Sequence, residues 1–291
     1  MVDELDNIFV LDRKENHIKV FDKSGKYIKV IGRRGQGPGE LDMAAMISIN
    51  AGKNELVVWQ MNGRLAFFTL DGKFLRNQML IAGELPLNAK VDPLSNIILT
   101  VGAMDPNKKC VTVKKYDSNM NFIRDLKKTP ILKAGFDPFE PYPYWDIDSN
   151  GYFVYGFPKD YTIEIWDTQN RLIRKIERAY DPVDVTGDER ERYLKNLSPG
   201  LKAKLDFSAA HSAFQRFFLD DQGMVFVQTW EKAEAGKKFI FDIFDKQGKF
   251  MARVPLKQKP QLLKKNKLYS IEEDEEGYQT VKRYAVNWLN Q

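Results

Sequence analysis

The chain has a single cysteine, Cys110, which excludes an internal disulfide and any cysteine-based zinc cluster. That thiol reads as a small strand residue, not as a nucleophile. Histidine is nearly as scarce. His17 and His211 are the only two, and neither a His-x-His nor a His-Glu-x-x-His spacing occurs. No Gly-x-Ser-x-Gly elbow is present. No apolar run approaches the ~18 residues of a membrane-spanning helix. The first residues, MVDELDNIFV, show no basic region followed by an apolar one, so no signal peptide is visible in them. A strong charge of one sign is lacking too. The 45 Lys and Arg against 40 Asp and Glu leave a net +5, spread along the chain, which permits nucleic-acid binding without demanding it.

What is present is a repeat. In the stretch VDELDNIFVLDRKENHIKVFDKSGKYIKVIGRRGQGPGEL, three short alternating strands (residues 7–12, 17–22 and 26–32) are each closed by a turn, then a Gly-rich exit follows. An apolar–Asp, Gly or Asn, apolar pattern recurs at Asp22, Asp71, Asp117, Asp167 and Asp245. Its successive spacings are 49, 46, 50 and 78 residues, the last being one period plus an insertion. An Asp carboxylate accepts from backbone N–H groups just downstream, and Gly or Asn takes positive φ cheaply, which makes a tight hairpin. About ten residues before each copy lies another apolar strand. Aromatics at 12% suit strand packing. The pattern predicts an all-β six-bladed β-propeller, read as a single domain over residues 1–291.

The blades map to residues 2–41, 43–81, 87–126, 144–177, 213–255 and a sixth from 261 onward. The first has no room for an inner strand and the last none for an outer strand. We therefore expect an N-terminal segment missing from this sequence to complete both, since an open ring leaves sheet edges exposed. Residues 188–205 break the pattern and predict a short helical insertion between blades four and five. Thr186 or Asp188 would cap it, and Pro199 would open a second short helix.

NIFVLDRKENHIKVFDKSGKYIKVIGRRGQGPGEL resembles an NHL repeat. The chain is similar to bacterial six-bladed β-propeller proteins with NHL-like, TolB-like blades. The match is strongest at Gly32, Gly35 and Gly37-Pro38-Gly39-Glu40, and at the closing LYSIEEDEEGYQTVKRYAVNW. The resemblance implies a six-bladed ring and a periplasmic or cell-surface location. The six-bladed lactonases and NHL-type lyases use carboxylate, Asn or His clusters around a channel metal, and animal NHL proteins bind RNA.

The Gly-rich loop at Gly32–Gly39 has no following helix and no Lys-Ser/Thr, so it reads as a positive-φ crossover and not as a phosphate cradle. Arg33 and Arg34 project from it as candidate anion contacts. The segment 136–148, FDPFEPYPYWDID, holds five aromatics extended between prolines, and Trp145 and Asp146 lie in it. Aromatic rings with polar tips suit peptide or carbohydrate, and an aromatic plug between blades is an equal reading. A basic run (Lys257, Lys259, Lys264, Lys265, Lys267) and an acidic one (residues 272–276) read as solvated turns. The expected function is a non-catalytic binding module without cofactor or bound metal. Its contacts would be Arg33, Arg34, Trp145, Asp146, His211 and Arg216 around the channel mouth. A protein, peptide or carbohydrate ligand is favoured over nucleic acid. The alternatives are a metal-dependent lactonase-like or lyase-like enzyme, and an RNA-binding domain.

Overall fold

Alternating apolar residues set the strands, because successive side chains of a strand leave on opposite faces and each face needs cover. The structure is a computed structural model that describes residues 1–80, 84–103, 110–131, 137–195, 197–202, 205–231 and 239–287. The fold is an all-β six-bladed propeller with two short helices among the described residues, and it divides into two compact units, Met1–Ile131 and Leu132–Gln291.

The first unit opens with the antiparallel sheet β1 (Ile8–Asp12), β2 (His17–Phe21) and β3 (Tyr27–Ile31). A two-residue parallel pair follows, β4 (Arg33–Arg34) with β5 (Glu40–Leu41), which the repeat pattern did not anticipate. The second sheet is β6 (Ala44–Asn50), β7 (Glu55–Gln60), β8 (Arg64–Thr69) and β9 (Phe74–Met79). The third is β10 (Glu84–Val91), β11 (Ile97–Ala103), β12 (Cys110–Tyr116) and β13 (Phe122–Pro130).

The second unit holds the sheet β14 (Tyr144–Ile147), β15 (Phe153–Gly156), β16 (Thr162–Trp166) and β17 (Leu172–Glu177). The helices α1 (Gly187–Leu194) and α2 (Pro199–Lys202) follow. Next comes the sheet β18 (Arg216–Leu219), β19 (Val225–Gln228), β20 (Phe239–Phe244) and β21 (Phe250–Leu256), and then β22 (Pro260–Lys264), β23 (Lys267–Glu273) and β24 (Gln279–Ala285). Among the described residues the first and last sheets have three strands each, with Met1 and Val2 bridged to β1. No helix among the described residues is long and apolar enough to cross a membrane.

Within each unit the core lies between neighbouring sheets. Leu56 and Val58 of β7 face Phe9, Ile18 and Val20 of the first sheet. The intervening Val57 and Trp59 face Ile97, Leu99 and Val101 of the third. In the second unit, Ile163 and Ile165 meet Phe217, Leu219, Val225 and Val227, and Phe226, Phe241 and Ile243 meet Leu263. Each fully buried large side chain contributes about 1.5–3 kcal/mol, so no single sheet could stand without its neighbour.

The repeated turn has the chemistry that its sequence implies. The Asp22 carboxylate accepts from the N–H groups of Ser24 (2.7 Å) and Lys26 (3.0 Å), and Gly25 takes φ +89°. Asp117, Asp167 and Asp245 repeat the geometry, each followed by a bulged strand pair. At three of these turns, and at the corresponding turn of the second sheet, an aromatic at or next to the end of one strand meets another that starts the next strand. The pairs Phe21–Tyr27, Phe68–Phe74, Tyr116–Phe122 and Phe244–Phe250 meet edge to face at 5.7–6.0 Å.

The second sheet differs from the expected pattern. Thr69, not Asp71, occupies the turn position, where its Oγ1 accepts from Lys73 N–H at 3.0 Å, and Asp71 reaches only the Thr69 hydroxyl. The same turn joins first and second strands at Asp92, Asp148 and Asp220.

Candidate functional site

The second unit concentrates the polar and aromatic groups that need explaining. Its segment ahead of β14 is held extended by Pro141 and Pro143, because proline fixes φ and pushes the preceding residue out of the helical region. Asp137 anchors the segment. It caps a turn at Phe139 N–H (2.9 Å), and its other oxygen accepts from Ser208 N–H (3.0 Å) and Ser208 hydroxyl (2.5 Å). Phe136 lies outside the described residues. The other four aromatics of the segment are Phe139, Tyr142, Tyr144 and Trp145.

Helix α1 begins at a capping box. Thr186 N–H donates to Glu189 Oε2 at 2.9 Å while Glu189 N–H donates to Thr186 Oγ1 at 3.3 Å. That same Glu189 oxygen lies 3.3 Å from His211 Nε2. Burial opposes the charge on Glu189. The bonds from Thr186 and His211 outweigh it and hold the carboxyl below its ordinary range. The His211 ring is stacked on Trp230 at 3.9 Å and receives the edge of Phe139 at 5.2 Å. Phe139 also touches Tyr193 and Phe207, so His211 sits where the insertion packs on the sheet. His211 Nδ1 is buried with no bonded partner among the described residues.

A polar run continues from there along the inner strands. Trp230 Nε1–H donates to Ser212 Oγ at 3.3 Å, and Gln215 bonds the Thr229 carbonyl at 2.7 Å. Gln228 donates to Gln215 Oε1 at 2.8 Å and accepts Arg216 Nε–H at 2.9 Å. Arg216 Nη2–H donates to the Pro260 carbonyl at 2.9 Å, joining β18 to the start of β22. β14 packs beside β18, and each strand begins at its polar residue, Tyr144 and Arg216. Tyr142 and Tyr144 meet edge to face at 6.3 Å. Burial pushes the Tyr142 phenol up to about 12, and raises Tyr144 against the pull of Arg216. Burial also lowers Arg216.

Trp145 and Asp146 are neighbours on β14 but point into the protein. Trp145 is 5% exposed and packs on Phe153, and Asp146 is 7% exposed and accepts Leu219 N–H at 3.3 Å, tying β14 to β18. Arg33 and Arg34 belong to the first unit. Arg33 is exposed but engaged by Glu40, with Nη2 to Oε1 at 2.8 Å, and Arg34 is exposed. The loop that carries them is built on itself. Glu40 accepts Gly37 N–H at 2.9 Å, and the buried Arg64 guanidinium donates to the carbonyls of Gly35, Gln36 and Glu40. Sequence reasoning did not find Gln215, Gln228, Glu189 or Trp230, because their partners are far away in the chain and no local motif marks them.

A second feature of this unit is an open cleft of about 440 Å³ lined by Asp160, Tyr161, Thr162 and residues 177–180. Beneath it the fully buried Asp242 carboxylate accepts Tyr161 OH at 2.8 Å and Arg253 Nε–H at 2.7 Å. Among the described residues no three His, Cys, Asp or Glu side chains converge as a metal-ligand group.

Residues 1–84 match a family model described as a 6-bladed beta-propeller. No curated protein matches the chain. Among solved structures, it is similar to a presumed exported protein from Bacteroides fragilis, at 14% identity and TM-score 0.61, covering 93% of this chain and 78% of that one. A member of the duf4221 family from Bacteroides vulgatus aligns at 12% identity and TM-score 0.60, over 96% and 90% of the two chains. A calcium-binding protein, regucalcin, from Agrobacterium tumefaciens aligns at 11% identity and TM-score 0.51, over 93% and 80%. These likenesses carry the fold alone.

Proposed function

We propose that the chain is a non-catalytic binding module whose ligand rests on the polar-aromatic face of the second unit, at Tyr142, Tyr144 and Arg216. The observation that carries this reading is the run of hydrogen-bonded side chains from Gln215 through Gln228 to Arg216. Each is held in place by a neighbour, and the run lies on β18 and β19 beside β14, whose Tyr144 follows Pro143 and meets Tyr142, the ring between Pro141 and Pro143. Pre-oriented amides, a guanidinium and flat aromatic faces are the parts of a recognition site, because fixed groups lose little entropy on binding. Trp145, Asp146 and His211 act from behind that face, holding β14 and the helical insertion against β18. An extracytoplasmic location goes with this reading, and the exported description of the Bacteroides fragilis protein supports it.

The test is a glycan and peptide array probed with the full chain and with Tyr144→Ala. Capture of a ligand that the variant loses by tenfold or more is the expected result. If no captured ligand depends on Tyr144, the site is elsewhere. Turnover of a lactone by the metal-loaded chain would replace binding with catalysis.

A further inference from the structure

A buried arginine and a half-buried one make a useful contrast. Arg64 is 9% exposed and spends its donors fully: Nε and Nη2 on Gln60 Oε1, Nη1 on the Gln36 carbonyl, and Nη2 again on Gly35 and Glu40. It is a loop fastener. Arg216 is aimed but not saturated. Nε and Nη2 are fixed by Gln228 and Pro260, while Nη1 makes no bond among the described residues. Neither of its two partners carries a negative charge. Arg178 and Arg253, in the same unit, both lie against the Asp242 carboxylate.

Lys259 adds a second cation beside the first. It precedes the proline whose carbonyl Arg216 holds, and no hydrogen bond or ion pair engages it among the described residues. Burial, and then the charge of Arg216, hold its ammonium below the ordinary lysine range. Two neighbouring cations without a counter-charge repel, and Arg216 is partly buried as well, a cost that an incoming anion lowers. Tyr144 opens the strand that packs beside the one Arg216 opens, and Tyr142 meets Tyr144 edge to face at 6.3 Å, so two aromatic rings lie on the guanidinium's side of the sheet.

Resting on the binding-site reading above, we propose that this site selects a carboxylate carried on a ring-sized body. Arg216 Nη1 and Lys259 Nζ take the two carboxylate oxygens, and Tyr142 and Tyr144 take the ring. Sugar acids and aromatic acids share this chemistry.

Calorimetric titration of the full chain tests it with four probes: trigalacturonate, its methyl ester, phenylacetate and phenylacetamide. At least one acid should bind roughly tenfold or more tightly than its neutral partner, since a charge-assisted bond is about twice as strong as a neutral one. Which acid wins identifies the source. Arg216→Gln and Lys259→Gln should each remove that preference, bringing acid and neutral partner to within about threefold of each other. Lys259 is more accessible than Arg216, so its variant keeps the test open if the Arg216 variant folds poorly. The proposal is overturned if ester or amide binds as well as acid, if no acid binds at millimolar concentration, or if a tetraglutamate peptide outcompetes both acids. In those cases a neutral, Tyr144-dependent array ligand would still uphold the broader binding reading, whereas an empty array removes that reading too.

Discussion

At the scale of single residues, the strongest claims concern carboxylates whose partners are all visible. Asp242 is fully buried and takes Tyr161 OH at 2.8 Å and Arg253 Nε and Nη2 at 2.7 and 3.1 Å. Burial first, then the Asp242 charge, push the Tyr161 phenol well above its usual range. Among the described residues, Asp242→Asn leaves Arg178 without a carboxylate and Arg253 with Glu231 alone, and should cost about 3 kcal/mol in urea unfolding. Tyr161→Phe removes one bond and should cost about 1 kcal/mol. The double variant should lose less than the sum, because the two share one interaction.

Glu272 offers a pH test at the same scale. Its carboxylate accepts Tyr284 OH at 2.6 Å and Ser270 OH at 2.7 Å and faces Lys282 at 3.1 Å, which together hold it down to about 2. The folded value lies below the unfolded one near ~4.3, so the stabilisation is complete above that range and fades as pH falls toward 2. Carbon-detected NMR titration should place the Glu272 midpoint near the lower value, and Tyr284→Phe should raise it. A wild-type midpoint at the ordinary glutamate value would show that the bonds do not persist in solution.

At the scale of elements, the repeated turn also fastens one sheet to the next. Lys29 Nζ donates to the Asp71 carbonyl at 2.6 Å, Gln78 to Asn119 at 2.5 Å, and Arg174 to Lys246 at 2.5 Å. In each case an outer strand reaches the turn of the following sheet. The turn glycines divide accordingly. At Gly25, φ is +89° and a Cβ would meet nothing within 4 Å, whereas at Gly72, φ is +94° and a Cβ would lie 2.9 Å from Ile31 Cγ1. Gly25→Ala should cost about 1–2 kcal/mol for the left-handed backbone alone. Gly72→Ala should add about 1–3 kcal/mol of overpacking between sheets. Equal losses in denaturant titrations would mean that the outer strand yields freely and the fastening is weak.

This division also explains what the sequence reveals. Strands, turns and the Thr186 cap were readable because each depends on residues within five positions. Thr69 was hidden behind Asp71 because both side chains suit a turn, and only the pairing of β8 with β9 decides between them. The site was less readable. Arg216 and His211 stood out by type, but Gln228, Pro260, Glu189 and Trp230 reach them through the fold, across separations that leave no periodic trace.

At the scale of the whole molecule, the question is whether six sheets behave as one domain. Within each unit a middle sheet is covered on both faces: β7 by the clusters on either side of it, and β19 by Ile163 and Ile165 of β16 on one side and Leu263 of β22 on the other. Such stacks are stabilised mainly by nearest-neighbour contact, and a sheet with an uncovered face is the weakest member. We therefore propose that residues 1–291 unfold together. Differential scanning calorimetry of the full chain should show a single transition, with an enthalpy on the order of 200 kcal/mol at the per-residue average and a calorimetric to van't Hoff ratio near one. Two resolved transitions would divide the chain into separate domains. So would cooperative melting of a 1–131 fragment at the temperature of the full chain, because that unit would then owe nothing to the rest.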